Sequence, residues 1–179
     1  MKKNLLILSV MAAMLFLSGC DLNLSNLDVQ KLNNKAAEYM QSGEYDKAAS
    51  RLEAVIELNP NLPGTYYNLG VAYYHMGEFE KAARELSNAL IRNPELADAY
   101  YSRAVAYEDL SYSILDGEGK GENYKPTEED SNMATEYLQN AKVDFENYLK
   151  YKKDAADKDE VEKRISQIEE KLSGKKAGE

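Results

Sequence analysis

One thiol, one imidazole and a few groups of carboxylates are the side chains of this 179-residue chain that could do chemistry. Cys20 is the only cysteine. It can act as a nucleophile, but it cannot close an intrachain disulfide, so the domain that follows must stand on packing alone. His75 is the only histidine. Glu108 and Asp109 are the carboxylates that could help it hold a metal or move a proton, and they sit far along the chain. No serine or cysteine is spaced to form a nucleophile–base pair with it. Asp116, Glu118 and Gly121 stand at the first, third and sixth places of a calcium-type loop. Lys120 at the fifth and Thr127 at the twelfth occupy places where such a loop needs an oxygen ligand and a bidentate glutamate. The expectation is therefore no enzyme, no catalytic residue, no metal and no cofactor, with His75 a solvated side chain and residues 116–122 a solvated turn.

Cys20 has a context of its own. Lys2 and Lys3 precede an apolar run from Leu5 to Leu17 broken only by Ser9, and Leu17-Ser18-Gly19-Cys20 leads into polar Asp21 and Asn23. A basic start, a short apolar core and small residues are the parts of a secretory signal. The apolar run is shorter than the ~20 residues a spanning helix needs. The four residues ending in Cys20 resemble the bacterial lipobox. That resemblance implies cleavage after residue 19, a diacylglyceryl group on the Cys20 thiol and acylation of the new N-terminus. Two or more acyl chains would hold the protein stably on a membrane. Residues 1–19 are thus expected to be a signal peptide and 20–28 the lipidated cysteine with a short linker. The folded part would lie on the extracytoplasmic, periplasmic side of the cell envelope. The formal charge is −9, and loss of the signal removes two more lysines. Such acidity argues against nucleic acid and anionic headgroups as partners.

The elements behind these residues are set by a repeat. Tyr39, Gly43, Tyr45, Ala48, Leu52 and Pro60 recur as Tyr73, Gly77, Phe79, Ala82, Leu86 and Pro94, every one offset by 34. A 34-residue period belongs to helix–turn–helix repeats. Tyr66, Leu69, Gly70, Tyr73, Ala82, Leu86, Ala89 and Pro94 resemble the tetratricopeptide repeat (TPR) at each signature place, and the resemblance extends over about residues 29–153. In the first repeat Lys35 and Ala36 stand where leucine and glycine are usual. The pattern has a physical basis. Ala36, Gly70 and Ala104 in first helices face Ala48, Ala82 and Ala141 in second helices, and small residues allow helix axes to approach to ~8–10 Å. Gly43 and Gly77 can take the left-handed conformation that ends a helix. Pro60 and Pro94 stop the second helices.

Between Tyr107 and Ala141 the third hairpin is longer than the other two. Leu110 and Ile114 continue the first helix's apolar stripe, and Met133 and Tyr137 are expected to lead the second helix toward Ala141. Thr127 and Asp130 after Pro126 form a capping-box pattern with aspartate in place of glutamate. Both helices are expected to run about two turns longer, joined by a tip holding Gly117, Gly119 and Gly121. Further on, Val161, Ile165, Ile168 and Leu172 line one face of a final amphipathic helix that would cap the array.

The expected architecture is all-α: a right-handed superhelical array of three TPR helix hairpins plus a C-terminal capping helix. The divisions are 29–60, 61–94 and 95–153 for the repeats, 154–173 for the cap and 174–179 for a tail. In TPR proteins the first helices line a concave groove. The family's offsets put Asn33, Ala37, Met40 and Gln41 there, then Tyr67, Val71, Tyr74 and His75, then Asp98, Tyr101, Val105, Glu108 and Asp109. Tyr67, Val71 and Tyr74 share one face by spacing, and exposed tyrosines suit a peptide-binding surface. The resemblance therefore implies an adaptor or scaffold that binds another envelope protein or a peptide, and no small-molecule substrate, through Tyr67, Val71, Tyr74, His75, Tyr101, Val105 and Glu108. One variety of the family grips a peptide's terminal carboxylate with basic residues. Asn33, Ala37, Asp98 and Ser102 stand in comparable places here, so that specificity is not expected. The alternative role is a structural subunit of a secretion, pilus or outer-membrane assembly, acting by self-association.

Overall fold

A computed structural model of the chain describes residues 26–117, 121 and 123–174. Among them are seven helices and no strand. The signal sequence, Cys20, Gly119 and the last five residues lie outside the described residues. No described helix is long and apolar enough to cross a membrane. The chain divides into two compact units, up to Pro60 and from Asn61 onward.

The first unit holds α1 (26–41) and α2 (Tyr45–Leu58). Gly43 at φ 75° turns the chain between them. The Glu44 amide donates to the Tyr39 carbonyl at 2.9 Å and the Gly43 amide to Met40 at 3.3 Å. This is the bond pair of a Schellman helix end, which needs a left-handed residue where the glycine sits. Ala36 and Ala48 are both fully buried, and Lys47 of α2 lies 5.6 Å from the Tyr39 ring centre of α1.

In the second unit α3 (Pro63–His75), α4 (Phe79–Arg92), α5 (Ala97–Asp116), α6 (Glu128–Tyr151) and α7 (Lys158–Gly174) pack each on the next, and α3 also meets α5. The turn after α3 repeats the earlier one 34 residues on: Gly77 has φ 76°, Glu78 donates to Tyr73 at 2.9 Å and Gly77 to Tyr74 at 2.9 Å. Both second helices, α2 and α4, end two residues before a proline. Asn59 and Asn93 are extended there, as the residue before proline prefers. Gly70 lies so close to α4 that a Cβ would stand 2.6 Å from Leu86 Cγ and 3.2 Å from the Ala82 carbonyl oxygen.

The third hairpin is the long one, with helices of 20 and 24 residues against 13 and 14 for α3 and α4. Thr127 starts α6 with a complete capping box: its hydroxyl accepts from the Asp130 amide at 3.1 Å, and Asp130 accepts from the Thr127 amide at 2.9 Å. The α6 stripe differs from expectation at its start. Met133 is 41% exposed, and Ala134, Leu138, Ala141, Phe145 and Tyr148 are the buried apolar residues. Their steps of four, three, four and three keep one face on α5 and α7, and Met133 precedes that face by a full residue's rotation. Tyr137 instead stacks on Tyr107 of α5 at 5.7 Å.

Two fastenings in this unit have no counterpart in the repeat pattern. Arg103 of α5 forks onto Asp144 of α6 at 2.7 and 2.8 Å and donates to the Ser87 hydroxyl of α4 at 2.8 Å. One planar guanidinium thus ties three helices. Burial pushes the Asp144 carboxyl up, and Arg103 pulls against it. At the end of the stack, Val161 and Ile168 of α7 are buried against Phe145, Tyr148, Leu138 and Ala141, with Ile165 and Leu172 beside them.

Candidate peptide-binding groove

The contact of α3 with α5 places two first helices side by side. On α3, Tyr67, Val71 and Tyr74 recur at steps of four and three, so they project to one side, with His75 next to them. On α5, Tyr101 and Val105 do the same, with Ser102 between. These seven side chains line a cavity of about 190 Å³. Six of the seven expected binding residues are therefore brought together: Tyr67, Val71, Tyr74, His75, Tyr101 and Val105. Ser102, which the family offsets had marked as a comparable position only, completes the lining.

The tyrosines are held from behind by the core. The Tyr74 ring lies 5.6 Å from Phe79 and meets His75 edge-on at 5.6 Å. The Tyr101 ring meets Phe145 edge-on at 5.6 Å and tilts against Tyr148 at 5.2 Å. Their hydroxyls are also tied. The Asp109 carboxylate of α5 acts on the Tyr74 phenol: burial, reinforced by that carboxylate, pushes it up to about 12. The Tyr101 hydroxyl accepts from Arg164 of α7 at 3.2 Å. Rings wedged in this way lose little freedom on binding, which preorganises a contact surface.

Glu108 is the exception among the expected groove residues. It is 6% exposed and does not line the cavity. Arg164 Nη2 lies 3.0 Å from its Oε2 as an ion pair, and that oxygen accepts no hydrogen bond. Burial raises the Glu108 carboxyl, and Arg164 offsets part of the rise. The physical reason is that two long side chains of α7 reach onto the C-terminal half of α5. The face that carries Tyr101 and Val105 runs on through Glu108 and Tyr112, but there it is covered by Arg164 and by Lys171, which donates to the Tyr112 hydroxyl at 2.5 Å. Asp98 is likewise engaged away from the cavity, with Lys152 at 2.8 Å. Asn33, Ala37, Met40 and Gln41 belong to α1, where Ala37 and Gln41 are exposed and Asn33 and Met40 half-buried.

Arg164 is the functional neighbour that sequence reasoning missed. Its signal was the seven-residue step to Lys171 along one edge of the α7 apolar stripe, which places two cations beside the α5 face. Around His75 no metal-binding arrangement forms: among the described residues no three His, Cys, Asp or Glu side chains cluster.

Residues 36–77 match the family model described as TPR repeat, and residues 63–96 match that of the tetratricopeptide repeat. No curated protein matches the chain. Solved structures with the same fold include the TPR domain of Sgt2 from Aspergillus fumigatus, 18% identical, covering 84% of this chain and 82% of that one at a TM-score of 0.62. The second TPR domain of human RPAP3, in complex with the HSP70 peptide SGPTIEEVD, is 16% identical over 81% of this chain and 98% of that one at 0.61. The Yersinia enterocolitica type III secretion chaperone SycD, in complex with a peptide of the translocator YopD, is 18% identical over 82% and 93% at 0.56. Residues 36–96 are thus tetratricopeptide repeats, and the described helices have the fold of TPR domains.

Proposed function

We propose that this protein is a lipid-anchored adaptor of the bacterial cell envelope that docks a protein or peptide in the groove between α3 and α5. The observation that carries the reading is the cavity itself. Three tyrosines on paired first helices surround about 190 Å³ of open space, and two of them, Tyr74 and Tyr101, are wedged against Phe79, Phe145 and Tyr148. Aromatic side chains held rigid before binding are what a protein-recognition surface needs. Two of the structures with this fold are peptide complexes. Anchoring rests on the sequence around Cys20, which would hold the groove close to the membrane surface. The peptide bound by the RPAP3 domain ends in Glu-Glu-Val-Asp. With Asn33, Ala37, Asp98 and Ser102 at the comparable places, the present groove lacks the basic side chains for such an end.

Two variants test the docking function in cells. Tyr67→Ala with Tyr74→Ala removes the aromatic contact area, and Ser102→Tyr fills the cavity without removing any packed ring. Both are expected to abolish co-purification of the partner that crosslinks to the parent protein. Retention of that partner by both variants, with normal helix content, would overturn the groove assignment. Loss of metabolic acyl labelling and of membrane association in Cys20→Ser tests the anchor separately.

A further inference from the structure

Most tyrosines of this chain already carry a cation. Tyr39, Tyr66, Tyr73, Tyr100, Tyr107, Tyr112, Tyr148 and Tyr151 each lie beneath a lysine or arginine of the chain itself. Arg92 sits 3.8 Å from the Tyr66 ring centre and Lys81 5.3 Å from that of Tyr73. The three cavity tyrosines are different. No described lysine or arginine lies over Tyr67, Tyr74 or Tyr101, although these rings line open space. Arg164 approaches Tyr101 only at its hydroxyl and spreads its guanidinium over Phe145 instead, 5.2 Å from the ring centre.

The charge at the rim points the same way. None of the seven lining residues is a lysine, arginine, aspartate or glutamate. Two carboxylates flank them, Glu108 and Asp109. Arg164 neutralises Glu108, whereas Asp109 acts on the Tyr74 phenol of the cavity and forms no ion pair among the described residues. The whole chain adds a formal charge of −9, which steers basic partners toward it.

Resting on the docking function proposed above, we propose that the groove recognises a basic segment of its partner protein, with one lysine or arginine side chain inserted among Tyr67, Tyr74 and Tyr101 and balanced by Asp109. A cation over an aromatic face is attracted by the ring quadrupole, and the attraction grows when water is excluded. An aromatic cavity with one unpaired carboxylate at its edge accepts a cation, repels a carboxylate and gains less from a neutral chain of equal size. The groove thus has a polarity opposite to one that takes an acidic peptide end.

The test uses the full-length protein in detergent with ring-labelled tyrosines, titrated with four heptapeptides that differ only at the central residue. The frame is Gly-Ser-Val-X-Val-Ser-Gly, with X lysine, arginine, norleucine or glutamate. The lysine and arginine peptides are expected to shift the ring resonances of Tyr67, Tyr74 and Tyr101. They should bind about tenfold more tightly than the norleucine peptide, which matches lysine in shape but carries no charge. The glutamate peptide should bind weakest. Asp109→Asn keeps an oxygen for the Tyr74 hydroxyl and is expected to shrink the cationic advantage to about twofold. Equal or tighter binding of the norleucine peptide would overturn the cationic specificity and leave the docking function standing. Absence of any ring shift would also overturn it. Photo-crosslinking from Tyr74 in cells then decides the docking function independently: a discrete partner band sustains docking, and no band removes both.

Discussion

Placing a methyl group on Gly70 measures how closely the first and second helices of a repeat approach. The added Cβ would stand 2.6 Å from Leu86 Cγ, 3.1 Å from Leu86 Cδ2 and 3.2 Å from the Ala82 carbonyl oxygen. Leu86 has no exposed surface, so it cannot swing aside into solvent. Overpacking of this kind costs about 1–3 kcal/mol, while replacing glycine by alanine in a helix contributes about 0.8–1 kcal/mol in the other direction. The net expectation is a loss of roughly 0–2 kcal/mol, or a fall in Tm of up to about 8 °C for a chain of this size. Gly64→Ala is the control. It lies in the first turn of α3 with nothing within 4 Å of the new Cβ, so stability should hold or rise slightly. A cycle with Leu86→Ala sharpens the test. Alone, that change costs about 2–5 kcal/mol through the cavity it leaves. In the Gly70→Ala background it should cost about 1 kcal/mol less, because the new methyl occupies part of the space. Urea and thermal unfolding followed by circular dichroism give all three values. A Gly70→Ala protein as stable as Gly64→Ala would refute the close approach of α3 and α4.

Further expectations concern the fastenings. Asp144→Ala strands Arg103, whose side chain is only 19% exposed, and is expected to cost about 3–5 kcal/mol in urea unfolding; Arg103→Met combined with Asp144→Leu should recover most of it. Thr127→Ala removes the capping box of α6 and is expected to cost about 1 kcal/mol, with faster amide exchange confined to the first turn of that helix. Tyr74 binds its proton more tightly folded than unfolded, since burial and Asp109 raise it from 10.0 to about 12. Its contribution to stability is therefore complete below pH 10 and lost as pH climbs toward 12. Tyr74→Phe should flatten that part of the alkaline unfolding profile, leaving the slope due to Tyr100, Tyr137 and Tyr148, which burial also raises.

Much of the fold could be read from local and periodic signals. The 34-residue offset placed Gly43 and Gly77 at the helix ends where their left-handed φ is observed. Thr127 and Asp130 marked the start of α6 through a bond pattern three residues long, and the Val161–Ile168 spacing marked the buried face of α7. Tyr67, Val71 and Tyr74 were legible as one face because helical rotation alone decides it. What stayed hidden depends on contacts between distant elements. Arg103 and Asp144 are 41 positions apart and Arg164 and Tyr101 63 apart, and no period links them. Glu108 obeyed the groove offset, yet the Arg164 side chain of α7 pairs with it. Met133 fits the step of four that leads to Tyr137 and Ala141, but the buried stripe begins one residue later at Ala134.

The docking groove is tested most directly by photo-crosslinking in living cells from a probe that replaces Tyr74, with a second probe at Ile91, 76% exposed on α4 and outside the cavity lining. A discrete partner band from Tyr74 that is absent from Ile91, and that Ser102→Tyr abolishes, is the expected result. A band of equal strength from Ile91, or none from Tyr74 beside an oligomeric protein, would contradict a docking groove and favour self-association.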